Sequence, residues 1–163
     1  WVRHYADSLQ LLPLIPKDTG SLLDIGTGAG FPGLILAILM RDHELNITLV
    51  DSVQKKARFL AETTQSLGLE NVLCSSSRVE MFHVKQTRYD VITARAVTAL
   101  PDLLALAAPL LSPGGMLIFP KGRKAEEELT AARDRWRFEV NQVRSMTDPD
   151  ATILIITQPE PMT

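Results

Sequence analysis

The chain has 163 residues, a length that fits one domain, and 45% of them are hydrophobic and 22% charged, as is ordinary for a soluble globular protein. No apolar run approaches the roughly 20 residues that cross a bilayer, and no signal peptide is visible. Cys74 is the only cysteine, which excludes an internal disulfide and a cysteine zinc cluster and favours a cytoplasmic protein without a metal site. The formal net charge of −2 does not indicate nucleic-acid binding, and any polyanion would have to bind a local basic patch.

Segments typical of strands and helices alternate along the chain with little interruption. In chain order the patterns predict a helix at 1–12, a strand at 21–25, a helix at 32–40, a strand at 47–50, a helix that ends at Leu67, strands at 71–75 and 89–94, a helix at 100–111, a turn at 112–115, a strand at 116–119, a helix at 125–136 and strands at 137–143 and 152–157. This alternation predicts an α/β fold with a mostly parallel, doubly wound sheet. The last two strands have no helix between them, so one of them should insert antiparallel as a hairpin.

A glycine-rich turn follows the first predicted strand. Residues 22–33 read as an apolar strand, a turn with Gly26, Gly28 and Gly30, and the start of a helix. In this arrangement glycine lets a ligand approach the backbone, and the helix start offers free N–H groups. Asp51 ends the next strand, at about the spacing where an acidic side chain accepts hydrogen bonds from a ribose diol. The pattern therefore predicts a nucleotide-cofactor site.

The glycines fit two classes of cofactor. Residues 28–33 satisfy the dinucleotide pattern of oxidoreductases, and Asp24-x-Gly26-x-Gly28-x-Gly30 is the pattern of S-adenosylmethionine-dependent methyltransferases. Asp24 favours the second class, because a dehydrogenase usually has an apolar residue at this place in the strand. There Asp24 can orient the turn or the amino group of the methionyl moiety. The turn at 112–115 is similar to one in Rossmann-like methyltransferases, and the C-terminal hairpin leaves no separate substrate domain. We predict a Rossmann-like class I S-adenosylmethionine-dependent methyltransferase with an antiparallel C-terminal strand. A dinucleotide-binding oxidoreductase is the alternative.

Six short motifs are spread over nearly the whole chain, and together they are far more specific than the glycines alone. They are Arg3-His4-x-x-Asp7-Ser8, residues 24–33, Asp51-Ser52-x-x-Lys55-Lys56-x-x-Phe59-Leu60, Ser77-Arg78-Val79-Glu80, Arg95-Ala96 and Lys121-Gly122. This set resembles the bacterial small-subunit ribosomal RNA methyltransferase G family, also called glucose-inhibited division protein B. The resemblance implies one methyltransferase domain over 1–163 that transfers a methyl group to N7 of a guanine in the 530 loop of 16S rRNA. The implied partner is 16S rRNA in the 30S subunit, bound by a cytoplasmic monomer with no membrane partner.

The resemblance also assigns residues to the cofactor. It places Gly26 and Phe31 in the glycine turn, Val79 and Glu80 beside the adenine, and Arg95 at the cofactor after the fourth strand. The residue-level analysis agrees for the glycines and for Asp51. For Val79 and Glu80 that analysis alone favours a surface loop.

Basic side chains are candidates for holding the substrate. Arg95 interrupts an apolar stretch, and because a charge there needs a partner, it favours a site at the carboxyl edge of the sheet. Lys121 follows a later strand in the same layer, where it either begins a basic cluster suited to RNA phosphate or lies in a charged loop. Arg3 and His4 either line the substrate entrance or cap the first helix.

The implied reaction explains why no nucleophile–base triad is apparent in the sequence. Guanine N7 carries an in-plane lone pair and can attack a sulfonium methyl group without first losing a proton. Such a displacement needs alignment and a suitable field more than a general base. Arg95 and Lys121 are therefore predicted to position phosphate or the guanine acceptor edge.

The sequence departs from the family pattern at two places. The family carries a helical segment before the Arg3-His4 motif, which does not precede it in this sequence, and its last strand opens with Arg-His where Ala151-Thr152 stands here. Ala151-Thr152 keeps a second hypothesis open, in which the chain binds S-adenosylmethionine and interacts with the ribosome without methylating it, and the retained Arg95 and Lys121 argue against that hypothesis.

Overall fold

Seven strands form one mixed sheet in the computed structural model, which describes residues 1–163. The strands are β1 (Ser21–Ile25), β2 (Asn46–Val50), β3 (Val72–Ser75), β4 (Tyr89–Ala94), β5 (Leu111–Lys121), β6 (Trp136–Arg144) and β7 (Thr152–Pro161). They lie in the order β3-β2-β1-β4-β5-β7-β6, with β1 to β5 parallel to one another. Strand β7 lies antiparallel between β5 and β6, which confirms the predicted inserted hairpin.

Six α-helices connect and cover the strands. They are α1 (Val2–Leu9), α2 (Gly33–Leu39), α3 (Gln54–Ser66), α4 (Glu80–Val84), α5 (Leu100–Ala107) and α6 (Ala125–Arg133). Short 3₁₀ turns extend the chain at Leu12–Leu14 and Ala108–Leu110, where prolines interrupt the α-helical pattern. No helix in the structure combines the length and apolar character that crossing a bilayer requires.

Both faces of the sheet are buried, as the apolar strands predict. On β1, Leu22 packs into a cluster with α2 and α3, while Leu23 and Ile25 point to the opposite face and pack with α5 and α6. Because successive side chains of a strand alternate between faces, a run of apolar residues can fill two cores at once. The two clusters hold 20 and 15 buried residues and fix the central strands on which the site is built.

Two segments differ from the predicted elements. Residues 112–115 were predicted as a turn, but they lie within β5, which pairs irregularly with β4 at this point. A Cβ on Gly115 would lie 2.7 Å from the carbonyl oxygen of Asp90, so the strands can approach this closely only at glycine. Trp136 was predicted to end a helix, but it begins β6 and is buried in the core.

The chain order of the strands reverses on either side of β1. Strands β2 and β3 lie on one side of it, and β4 and β5 lie on the other. In doubly wound sheets ligands bind in the crevice that this reversal opens beyond the carboxyl ends of the strands. The glycine turn follows β1 and Arg95 follows β4, so the predicted cofactor residues flank this crevice.

Candidate cofactor and substrate site

The glycine turn adopts backbone conformations that other residues reach only with strain. Gly26, Gly28 and Gly30 have φ values of +65°, +59° and +105°. A Cβ on Gly26 would lie 2.7 Å from Val97 Cγ2, whereas a Cβ on Gly28 would meet no atom closer than 3.9 Å. Gly28 is therefore the position where the bare backbone faces open space, as a site for a closely approaching ligand requires.

Asp24 lies beneath this turn and is 0% exposed. Its Oδ2 accepts a hydrogen bond from the Gly33 N–H at 2.9 Å, and its Oδ1 accepts one from Thr93 Oγ1 at 2.7 Å. A Cβ on Gly33 would lie 2.5 Å from that Oδ2, so glycine is required where α2 meets β1. Asp24 thus ties the start of α2 to β1 and β4 and orients the turn, the first of its two predicted roles. Its buried carboxylate offers no surface to a cofactor.

Burial raises the pKa of Asp24 to about 6, and the hydrogen bonds from Thr93 and Gly33 only partly oppose that rise. A carboxyl whose pKa is raised on folding favours the folded state most at low pH and loses that contribution as pH rises through its folded pKa. The Asp24→Asn variant should lack this dependence, since its carboxamide can accept from Gly33 and donate to Thr93. We expect the free energy of unfolding of the parent, taken relative to that of the Asp24→Asn variant, to fall by about 1–3 kcal/mol between pH 4 and pH 7. Urea unfolding across that range measures the difference, and parallel profiles would contradict a buried ionising Asp24.

Asp51 connects the turn to β2. Its Oδ2 accepts a hydrogen bond from the Gly28 N–H at 2.9 Å, and its Oδ1 accepts one from the Val53 N–H at 2.9 Å. A carboxylate has about four acceptor positions, so two remain for ribose hydroxyls after these bonds are made. Asp51 therefore holds the turn in place in addition to any contact with a ribose.

A cavity of about 290 Å³ lies between the glycine turn and α1. Its lining residues are Trp1, His4, Gly26, Thr27, Gly28, Ala29, Phe31, Arg95 and Ala96. The open space beside Gly28, the exposed turn and the nearby Asp51 carboxylate fit a nucleoside cofactor with an extended polar tail. We call this space the turn cavity.

Aromatic side chains close one side of the turn cavity. The rings of Trp1, which precedes α1, and of His4 and Tyr5 on α1 lie 6.3, 5.4 and 5.2 Å from the ring of Phe31. The Arg95 guanidinium lies 5.7 Å from the same ring, within reach of a cation–π interaction. Phe31 thus anchors α1 over the turn.

Arg95 has the charged partner that its place in an apolar stretch requires. Its Nη1 lies 3.7 Å from Asp7 Oδ2 and donates a hydrogen bond to His4 Nδ1 at 3.0 Å. The next residue, Ala96, has a φ of +53°, a backbone conformation that is strained for any residue other than glycine. The backbone bends here, directly after the end of β4, and Arg95 therefore lies at the carboxyl edge of the sheet.

A larger cavity of about 520 Å³ lies beside the turn cavity at the same edge of the sheet. It is enclosed by α1, the segments after β4 and β5, and the loop between β6 and β7, and it includes Arg3, Asp7, Lys121, Asp148, Ala151 and Thr152. Arg95 and Ala96 line both cavities. Two molecules bound side by side in these spaces would therefore meet at Arg95. We call this second space the edge cavity.

Lys121 lies at the edge that the sequence predicts, but its charge is used inside the protein. The side chain is 8% exposed, and Nζ donates to Glu128 Oε1 and to the Thr98 carbonyl oxygen, each at 3.0 Å. Glu128 Oε1 also accepts from the Leu100 N–H at 2.8 Å. This geometry assigns Lys121 to holding the segment after β4 against α6, whereas the neighbouring Arg123 and Lys124 are exposed.

The remaining predicted residues separate into two groups. Arg3 lines the edge cavity, and its Nη2 lies 2.6 Å from Asp148 Oδ2. Gly30, Val79 and Glu80 do not line the turn cavity. Val79 is buried in the core immediately before α4, and Glu80 begins that helix and is exposed. The prediction of a surface loop was therefore wrong for the buried Val79 and missed α4, but it was right that Glu80 is exposed.

The loop between β6 and β7 contributes site residues that the sequence did not indicate. Thr147 Oγ1 donates to Asp7 Oδ1, Asp148 pairs with Arg3, and the Met146 N–H donates to Gln10. These contacts join residues from near the two ends of the sequence, so no local sequence pattern could have revealed them. The one sequence signal was Asp7, which belongs to the first of the six motifs.

Solved structures of methyltransferases share this fold. A SAM-dependent methyltransferase from Aquifex aeolicus superposes with a TM-score of 0.66 at 17% identity, covering 92% of this chain and 88% of that one. Fibrillarin from Aeropyrum pernix, solved with natively bound S-adenosyl-L-methionine, gives a TM-score of 0.66 at 15% identity over 93% of this chain and 73% of that one. With the sheet order and the glycine turn after β1, they define the class as a Rossmann-like methyltransferase fold.

Sequence comparison is more specific. The family described as rRNA small subunit methyltransferase G matches residues 1–154. A relative of that name from Methylobacterium nodulans is 46% identical over 159 residues, which cover 96% of this chain and 74% of the relative. Another from Rhodospirillum centenum is 43% identical over 161 residues, covering 99% of this chain and 72% of the relative. The chain belongs to the rRNA small subunit methyltransferase G family.

Proposed function

We propose that this protein transfers a methyl group from S-adenosylmethionine to N7 of a guanine in the 530 loop of 16S rRNA. Family membership supports an rRNA substrate and an S-adenosylmethionine cofactor. The structural observation that carries the proposal is the wall of Arg95 and Ala96 that the turn cavity and the edge cavity share. A cofactor in the first cavity and a nucleotide in the second would meet there, as a direct transfer between them requires.

The cofactor is assigned to the turn cavity through residues of the carboxyl edge. Gly26, Gly28, Gly30 and Phe31 form the turn that receives the methionyl part, and Asp51 accepts from the ribose. Val79 and Glu80 flank the adenine beyond the ends of β2 and β3, outside the turn cavity. Asp24 supports this site from below.

The reaction requires the protein to align the methyl donor with the acceptor nitrogen. When bound, S-adenosylmethionine supplies an electrophilic methyl group on a positively charged sulfur. Arg95, which lines both cavities, and His4, which lines the turn cavity and accepts a hydrogen bond from Arg95, orient the acceptor. Arg3 lines the entrance of the edge cavity, while Lys121 fixes the segment after β4. No proton has to be removed from N7, so none of these residues is assigned as a general base.

The proposed partner is 16S rRNA within the 30S subunit, bound by a monomer that acts as one methyltransferase domain over 1–163. This partner places the reaction in the cytoplasm, with the ribosomes. The exposed Arg123 and Lys124 lie beside the edge cavity and are suited to RNA phosphate.

We expect the protein to bind S-adenosylmethionine and S-adenosylhomocysteine but not NAD. The reason is that Asp24 within β1 and the inserted C-terminal hairpin fit the methyltransferase class, and a protein with this fold, fibrillarin, was solved with S-adenosyl-L-methionine bound. Isothermal calorimetry with each of the three ligands measures this preference. Tight NAD binding with no heat from S-adenosylmethionine would overturn the cofactor assignment in favour of the oxidoreductase alternative.

A further inference from the structure

The edge cavity contains a carboxylate oxygen that no hydrogen bond satisfies. Asp7 is 19% exposed, and its Oδ1 accepts from Thr147 Oγ1. Its Oδ2 has no hydrogen-bond donor, because the nearest cationic nitrogens, Arg95 Nη1 and Arg3 Nε, lie 3.7 and 4.0 Å away. A partly buried carboxylate with spare acceptor positions is suited to a ligand that brings N–H groups.

Asp7 and Arg95 together present an acceptor beside donors. The guanidinium has five N–H donors and uses one on His4, so others are free for a ligand. Guanine carries the O6 acceptor next to the N1–H and 2-amino donors, which matches this pair. Adenine carries its 6-amino donor next to the N1 acceptor, so each contact would face a group of the same kind.

We propose that Asp7 accepts hydrogen bonds from the N1–H and 2-amino groups of the target guanine in the edge cavity, with Arg95 at its O6. This inference rests on the proposed function and adds the residue that selects the base. Guanine N7 lies on the far side of O6 from N1, so a base held this way directs N7 past Arg95. Arg95 belongs to both cavities and Asp7 to the edge cavity alone, so N7 then faces the turn cavity.

The volume of the edge cavity agrees with this occupant. About 520 Å³ falls within the range of pockets that enclose a ligand of nucleotide size. Enzymes that act on one base of a folded nucleic acid commonly take that base out of its stack and read its Watson–Crick edge with side chains. Arg3 and Lys124, which line the same cavity, are placed to meet the phosphates of a nucleotide that enters it.

The test compares guanosine with inosine, which lacks only the 2-amino group. Small subunits are reconstituted with 16S rRNA carrying one or the other at the target position, and kcat/KM for methyl transfer is measured with the full chain. We expect the parent to prefer guanosine by about ten-fold or more, since a site built around a hydrogen bond rejects the analogue that lacks it. In Asp7→Asn the reaction with guanosine should slow by about ten-fold and the preference should fall towards one.

The ratio between the two RNAs separates selection from folding. A partly unfolded variant lowers both rates by the same factor and leaves the ratio unchanged. Asp148→Asn is the matched control, because Asp148 lines the same cavity but its Oδ2 is taken by Arg3, and this variant should keep the parental ratio. Equal slowing of Asp7→Asn on both RNAs would overturn the inference while methylation of guanosine by the parent still supports the proposed function. If the parent forms no 7-methylguanosine, the proposed function fails and the inference falls with it.

Discussion

Gly28→Ala should weaken binding of S-adenosylmethionine by about ten- to a hundred-fold while the protein stays folded. An added Cβ at this position meets no protein atom closer than 3.9 Å, so it projects into the turn cavity that we assign to the cofactor. Overpacking of a fitted contact surface typically costs about 1–3 kcal/mol, which gives this range of affinities. The hydrogen bond from the Gly28 N–H to Asp51 is kept, because alanine retains the donor. Calorimetric titration of the folded variant gives the dissociation constant.

Gly68→Ala is the matched control for this substitution. Gly68 follows α3, has a φ of +66° against +59° at Gly28, and a Cβ there meets nothing within 4 Å. Both variants therefore carry a similar backbone strain of about 1–2 kcal/mol, but only Gly28 lines the turn cavity. Unchanged affinity in Gly28→Ala, or an equal loss in Gly68→Ala, would contradict the assignment of the cofactor to this turn.

Lys121→Met should lower the free energy of unfolding by about 2–4 kcal/mol. The substitution keeps much of the stem but removes the ammonium that pairs with Glu128 at 3.0 Å, and Glu128 is only 19% exposed. Removing one partner of a mostly buried ion pair leaves a charge without compensation, and this is the costly case. Chemical denaturation measures the change.

Two further variants identify the cause of that loss. Lys124→Met removes an exposed charge from the same edge cavity and should change the free energy of unfolding by less than about 0.5 kcal/mol. The double variant Lys121→Met with Glu128→Gln should recover part of the stability, because glutamine still accepts from the Leu100 N–H without a buried charge. If Lys121→Met is as stable as the parent and loses only RNA binding, Lys121 contacts phosphate and the ion pair contributes nothing.

Much of the fold could be predicted because it depends on local patterns. Strands β1 and β4 begin and end at the predicted residues, since both are short apolar runs buried on two faces. The inserted hairpin followed from the absence of a helix before β7. The turn around Gly28 could also be predicted, because a glycine pattern between a strand and a helix has few physical solutions.

The rest depends on contacts between distant segments. Residues 112–115 contain the proline and glycines of a turn, yet they lie within β5, where Gly115 lets β4 approach more closely than a Cβ would allow. Lys121 could be placed at the carboxyl edge, but its pairing with Glu128 depends on how α6 packs against the segment after β4. The position of Asp7 in the edge cavity depends on the β6–β7 loop, which meets α1 only in the folded chain.

Mapping of methylated nucleotides in 16S rRNA tests the central claim most directly. Small subunits from cells that lack this protein are incubated with the protein and S-adenosylmethionine, and nuclease fragments of the 16S rRNA are analysed by mass spectrometry. We predict one new 7-methylguanosine, in the 530 loop, that requires both the protein and the cofactor. Subunits that gain no methyl group from a protein that binds S-adenosylmethionine, or gain one at a different atom or position, would contradict the proposal. The first of these results would favour a ribosome-interacting protein without methyltransferase activity.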